Sequence, residues 1–199
     1  MLTIGGDEFS WLLPTLGLWF ASFLARDEQN RGWLAKAPAT YWLTGFFNPQ
    51  GFLTAVKQDV GRKHRKDAWA LDDLVYHTEV TSYTDVAKVR KPPPEGVHIH
   101  GLSMDGAAWD KKERCITESQ PKKLFAALPV MLVTASTHKL EVAERKRVHG
   151  AEGPYDCPVY KYAQRTDRYL IFSASLPCGE STPSFWGLRG LALVACTDY

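Results

Sequence analysis

His98 and His100 stand two residues apart in VHIHG, a spacing that puts both imidazoles on one face of a strand and could seed a zinc site. A complete site needs a third or fourth ligand, for which His77 and Cys157 are the candidates. The plainer reading, two histidines on the polar face of a half-buried strand, is preferred, because such short patterns recur without metal. Asp72 with Asp73, Asp105 with Asp110, and Glu118 could supply paired carboxylates for acid–base work across a cleft. All of them sit beside turn signals, where Asp commonly caps and closes turns. The four cysteines, Cys115, Cys157, Cys178 and Cys196, form neither a CxxC pair nor a reactive motif, and read as reduced thiols in an intracellular protein. The basic clusters GRKHRK (Gly61 to Lys66) and ERKRVH (Glu144 to His149) could touch RNA or an acidic surface. A solvated helix end and a solvated loop tip account for them more simply. No GxxxxGK[ST], GxGxxG or GxSxG occurs, so the common phosphate loops and hydrolase elbows are missing. No catalytic residue, cofactor site or metal site is assigned.

The elements that would carry such residues fall into two regimes. Up to about residue 70 the period is helical. Leu16, Trp19, Phe20, Phe23 and Leu24 share one stripe, Pro14 stands where that helix could begin, and the pattern returns at Trp33 and Leu34. Ala35 to Ala39 is a connector. The stretch YWLTGFFNPQGFLTAVKQ, from Tyr41 to Gln58, then packs four aromatics into seven positions before a second helix. Asn48 is a good N-cap and Pro49 suits the first helical position. Phe52, Leu53, Val56 and Val60 make the apolar stripe, and Phe46 and Phe47 can staple the helix start onto it. The helix runs to about Lys66, its terminal cations suited to a helix C-terminus.

From Leu71 the period shifts towards two. Leu74, Tyr76, Thr78 and Val80 alternate with Val75, His77 and Glu79, and KPPPEG breaks the chain before VHIHGLSMDG. Val97 and Ile99 are expected to face inward and His98 and His100 outward. PVMLVTAS, CPVYKYA, RYLIFSASL and GLALVACTD are further strands, with a short helical turn expected near Lys122 to Leu128. Thr137 to Pro154 reads as a long exposed loop. The expectation is an α+β fold: a helical subdomain over 1–70 followed by an antiparallel β-barrel or sandwich of about six strands over 71–199.

Composition removes several classes of function. The formal net charge is +2 over 199 residues, which gives no electrostatic reason to expect nucleic acid or a membrane as partner. No apolar run approaches the roughly 20 residues that a bilayer-spanning helix needs. The hydrophobic fraction of 45% is that of a globular protein, and seven tryptophans are many for it. The start at Met1 is arbitrary enough to be the beginning of a piece of something longer.

Taken as an ordered set, YWLTGFFNPQGFLTAVKQ, AWALDDLVYHTEV, PPPEGVHIHGLSMDGAAWDKK, ESQPKKLFAALPVMLV, YDCPVYKYAQRTDRYLIF and WGLRGLALV resemble the C-terminal domain of dynein heavy chains. The resemblance runs from about Trp11 to the end, with FFNPQGFL and GAAWD its most specific pieces. ALDDLVYHTEV and ESQPKKLF look closer to axonemal outer-arm proteins than to cytoplasmic ones. The histidines of VHIHG and the charged stretch around Lys139 to Gly153 depart from the family pattern. The resemblance implies a non-catalytic module of a microtubule motor, in the axoneme of a cilium or flagellum. Such a module lies across a ring of six AAA+ modules of the same heavy chain and modulates its output. The ATPase sites then lie in the ring, outside this chain, and the dynein complex and microtubules are reached through the parent protein. A β-barrel that binds a small ligand in its mouth is the alternative, and a hydrolase using His98 and His100 is the second.

A helical part so rich in large aromatics cannot bury them all in about seventy residues. Some of Trp11, Trp19, Phe23, Trp33 and Trp42 are therefore expected to form an exposed apolar patch that docks on the ring.

Overall fold

Local capping sets the helices. In this computed structural model, which describes residues 15–67, 69–149 and 153–196, Thr15 starts α1 (Leu16–Ala35) by accepting the Leu18 N–H at 3.2 Å. Asn48 starts α2 (Pro49–Lys63) by accepting the Gly51 N–H at 2.9 Å, with Pro49 at the first turn. Between them lie β1 (Tyr41–Trp42) and a 3₁₀ turn over Leu43–Gly45. Leu53, Val56 and Val60 are buried along α2, as the sequence stripe requires. Phe46, not the exposed Phe47, provides the staple: its ring stacks on Phe52 at 4.0 Å. The α-helix ends at Lys63, and a 3₁₀ turn over Arg65–Asp67 follows it.

The strands are β2 (Leu74–Val80), β3 (Val97–His100), β4 (Ser103–Asp105), β5 (Ala108–Asp110), β6 (Cys115–Thr117), β7 (Phe125–Ala127) and β8 (Met131–Thr137). The helix α3 (His138–His149) follows, then β9 (Tyr155–Tyr162), β10 (Leu170–Leu176), α4 (Pro183–Leu188) and β11 (Ala192–Cys196). One sheet has the order β1-β3-β8-β2 and a second the order β10-β9-β11-β4-β7, with β5 and β6 as a separate hairpin. The fold is thus α+β, but not the expected antiparallel barrel. The β1–β3 and β9–β11 ladders are parallel, and no sheet closes on itself among the described residues. The parallel β9–β11 pair is reached because β10 runs back antiparallel beside β9, after which α4 carries the chain across to β11. The sheets meet at a corner and at a seam. At the corner, Gly101 (φ +86°) turns β3 into β4, and a Cβ there would lie 2.6 Å from Trp42 Cδ1. At the seam, the Ser175 N–H donates to Thr78 Oγ1 at 2.9 Å, linking edge strand β10 to edge strand β2.

Burial follows the strand period. Met131, Val133 and Ala135 face inward along β8, while β11 is buried at Ala192, Leu193, Val194 and Ala195, on both faces. A strand covered on both sides reads as a continuous apolar run, as LALVA does. The core joins Ile99, Met104, Met131, Val159, Leu176 and Leu193 to Leu43 and Leu53 of the helical part. Trp186 of α4 closes it, donating its indole N–H to the Cys178 carbonyl at 3.1 Å.

Two local expectations are corrected. Residues 138–149, expected in a long loop, form α3, where Glu141 and Arg145 pair at i and i+4 and Glu141 bonds His77 of β2. The segment Lys122 to Leu128, expected as a helical turn, contains β7, whose Ala126 pairs with Met104 on the open edge of β4. Here pairing to a sheet edge outweighs local helix propensity.

Candidate functional site

The residues first considered for chemistry are spent on structure. Ile99 is fully buried as expected, with Val97 half-buried. His98 and His100 lie on the opposite face, as the alternation requires, but they are half-covered rather than open to solvent. The His98 Nδ1–H donates to the Ala39 carbonyl at 3.3 Å, and His100 Nδ1 shares a hydrogen bond with Thr40 Oγ1 at 3.0 Å. Both therefore tie the connector after α1 to the edge of β3, and burial pushes His100 down towards its neutral form. His77 points instead to Glu141, and Cys157 is sealed in the core. Among the described residues no three His, Cys, Asp or Glu side chains cluster as a metal site would need.

The carboxylates are likewise engaged. Asp110 accepts the Lys112 and Glu113 N–H groups at 2.7 and 3.0 Å, closing the β5–β6 turn, and these bonds hold it below the usual carboxylate range. Asp105 pairs with Arg165, and Glu118 with Arg189 at 2.7 Å. Asp72 and Asp73 lie in an exposed 3₁₀ turn. In the first basic cluster Lys63 pairs with Asp59, and His64 sits between Asp67 and Glu95.

What remains is a surface. On α1 the residues that face the domain are Trp19, Ser22, Arg26, Gln29 and Trp33, three or four residues apart. Arg26 is buried, with its guanidinium 6.0 Å from the Trp42 ring centre. Gly45 lets the helix approach, since a Cβ there would lie 1.7 Å from Gln29 Nε2. Trp33 docks into an aromatic cluster, 5.0 Å from Tyr41 and 4.7 Å from Phe46. The apolar stripe of α1 faces elsewhere. Leu16, Phe20, Phe23 and Leu24 recur at i, i+4, i+7 and i+8, yet they are 67, 51, 38 and 61% exposed. Leu34, at 89%, continues the line beyond the exposed Asp27–Arg31 pair.

The five aromatics singled out from the sequence thus separate. Trp11 lies outside the described residues. Trp33 and Trp42 are half-buried in contacts with the rest of the protein. Trp19 is half-buried and stacks on Phe23 at 5.6 Å, so it supports the stripe from beneath. Phe23 is in the stripe, and the side chains that accompany it are Leu16, Phe20 and Leu24. Their i, i+4, i+8 spacing was visible in the sequence; which side of the helix would be covered was not. A contiguous row of large apolar side chains on one helix is the usual mark of an interaction surface.

The family described as the C-terminal domain of the dynein heavy chain matches residues 8–195. The chain is 43% identical over 186 residues to dynein axonemal heavy chain 8 of Mus musculus, covering 93% of this chain and 4% of that protein. It is 42% identical over 192 residues to the dynein gamma chain, flagellar outer arm, of Chlamydomonas reinhardtii, covering 95% and 4% respectively. With dynein axonemal heavy chain 9 of Homo sapiens the identity is 39% over 181 residues, which is 90% of this chain and 4% of the relative. The chain therefore spans about 4% of the length of the curated relatives it matches.

Proposed function

Since the chain belongs to the family formed by the C-terminal domains of dynein heavy chains, we propose that it is a non-catalytic module that docks on the AAA+ ring of its own heavy chain and modulates the motor. Relatives named as axonemal and as flagellar outer-arm proteins support a place in the axoneme of a cilium or flagellum. On this reading the microtubule and the dynein complex are reached through the parent protein, and its nucleotide sites lie outside this chain. The two open sheets, packed with side chains and joined at the Gly101 corner and the Thr78–Ser175 seam, act on this reading as the scaffold that carries α1.

The observation that carries the proposal is the exposed stripe of Leu16, Phe20, Phe23 and Leu24 on α1. Covering the exposed halves of four such side chains is worth about 3–6 kcal/mol before association costs. Those costs are small when the partner is part of the same polypeptide, because tethering supplies a high effective concentration. The test is to mix this chain with a heavy chain truncated before the domain and follow complex formation by size exclusion. A Phe20→Glu/Phe23→Glu variant should lose the complex while keeping its own thermal transition. Survival of the complex in that variant would move the contact away from α1, to the sheets.

A further inference from the structure

We propose that His77, Glu141, Arg145 and Asp156 form a proton-operated latch that holds α3 over the seam between the two sheets. Three elements converge there. The His77 Nδ1–H, on β2, donates to Glu141 Oε2 on α3 at 2.7 Å. Arg145, one turn further along α3, donates its Nε–H to Glu141 Oε1 at 3.1 Å. The same guanidinium reaches β9, donating from Nη1 to both oxygens of Asp156 at 2.8 and 3.0 Å. Ser175 of β10 donates to Asp156 at 3.3 Å, so the fourth element bordering the seam is tied in as well.

Glu141 is the hinge of the arrangement. It is only 4% exposed, and both its oxygens are used by cations from different places. With His77 protonated, two anions (Glu141, Asp156) meet two cations (His77, Arg145). Without that proton the group carries an extra negative charge around a carboxylate that water hardly reaches, which weakens the attachment of α3. The other charged groups facing His77 reinforce this. Glu144 of α3 and Glu79 of β2 both favour its cationic form. Arg114, on the β5–β6 hairpin, is occupied by Glu79 Oε1 at 2.9 Å and the Val80 carbonyl at 2.8 Å. Thr134, opposite His77 on β8, carries no charge.

The sign follows from linkage. The bond to Glu141 raises His77 above its ordinary value despite burial, so its contribution is complete below about pH 6.5 and is lost as pH rises through the raised value. Burial pushes Glu141 up, but His77 and Arg145 outweigh it and hold the carboxyl low. Its contribution is complete above about pH 4.3 and is lost as pH falls through that lowered value. Between those limits the latch is closed. Above them α3 loosens and opens the cleft of about 370 Å³ that it borders, floored by Val80, Trp109 and Pro177.

The experiment is hydrogen exchange on the 199-residue protein from pH 6 to pH 9, corrected for intrinsic exchange, with β11 as internal reference. Protection of residues 138–149 relative to β11 should fall roughly tenfold across the range, as expected for losing one charge-assisted bond. His77→Gln should give low α3 protection that no longer depends on pH. A flat profile in the unmodified protein, or a slope that persists in His77→Gln, overturns the latch. A second readout needs no variant: the His77 imidazole, titrated by NMR, should lose its proton at a higher pH than a free imidazole. Titration at or below the ordinary value also overturns it.

Discussion

Asn48 does one small job with a measurable size. Its side chain takes one of the orphan N–H groups of the first turn of α2, and Asn48→Ala should cost about 1 kcal/mol by chemical denaturation. Leu53, one turn further on and fully buried, belongs to the core that joins helix to sheets. Leu53→Ala should therefore cost roughly 3 kcal/mol, because the surrounding strands cannot collapse into the space. Gly101 differs in kind. Its positive φ and the Trp42 ring 2.6 Å from any added Cβ make Gly101→Ala destabilising without any lost contact. The expected loss is about 1–3 kcal/mol, and a matching change in Trp42 near-UV dichroism would locate it. A thermal shift near zero in Leu53→Ala would mean that α2 is not seated on the sheets.

At the scale of elements, α1 and α2 look alike in sequence and behave oppositely. The stripe of α2 meets the sheets, whereas α1 turns Arg26 and Trp33 inward and leaves its leucines and phenylalanines outside. The end of α2 is held by electrostatics. His64 donates from Nδ1 to Asp67 at 3.0 Å and from Nε2 to Glu95 at 2.8 Å, and its ring stacks on Trp69 at 4.0 Å. The bond to Asp67, and then that to Glu95, raise its pKa. A raised histidine stabilises fully below about pH 6.5 and loses that contribution as pH rises through its folded value. The difference in thermal midpoint between the unmodified protein and His64→Gln should thus be largest near pH 6 and shrink towards pH 9. A constant difference would make the effect one of packing on Trp69.

For the whole molecule, the sequence holds no GxxxxGK[ST] loop to cradle a phosphate. The protein should bind no ATP by calorimetry at micromolar concentration, and saturable binding there would overturn the assignment of a non-catalytic role. No helix among the described residues is long and apolar enough to cross a membrane. On the proposed docking role of the α1 stripe, the isolated protein at high concentration should self-associate through it, with Phe20→Glu/Phe23→Glu restoring the monomer in sedimentation.

The sequence by itself determined what depends on neighbours along the polypeptide. The N-cap of α2, its buried stripe, the change of period near Leu71 and the strand at VHIH are set by spacing and by local backbone chemistry. The ordered motifs carried the family in the same way. Tertiary structure alone decided which strands lie beside each other, because parallel β1–β3 and β9–β11 pairing depends on residues far apart in sequence. It also decided that 122–128 would extend a sheet edge, through the pairing of Ala126 with Met104. The helix at 138–149 lay hidden among charges, although Glu141 and Arg145 stood at helical spacing. What gives that helix a place is His77, sixty-four residues earlier, a partner that no local pattern could supply. The exposed stripe of α1 shows the same division. Periodicity marks an apolar stripe on α1, but whether a stripe faces the core or the solvent depends on the shape of everything packed around it, and here it faces the solvent.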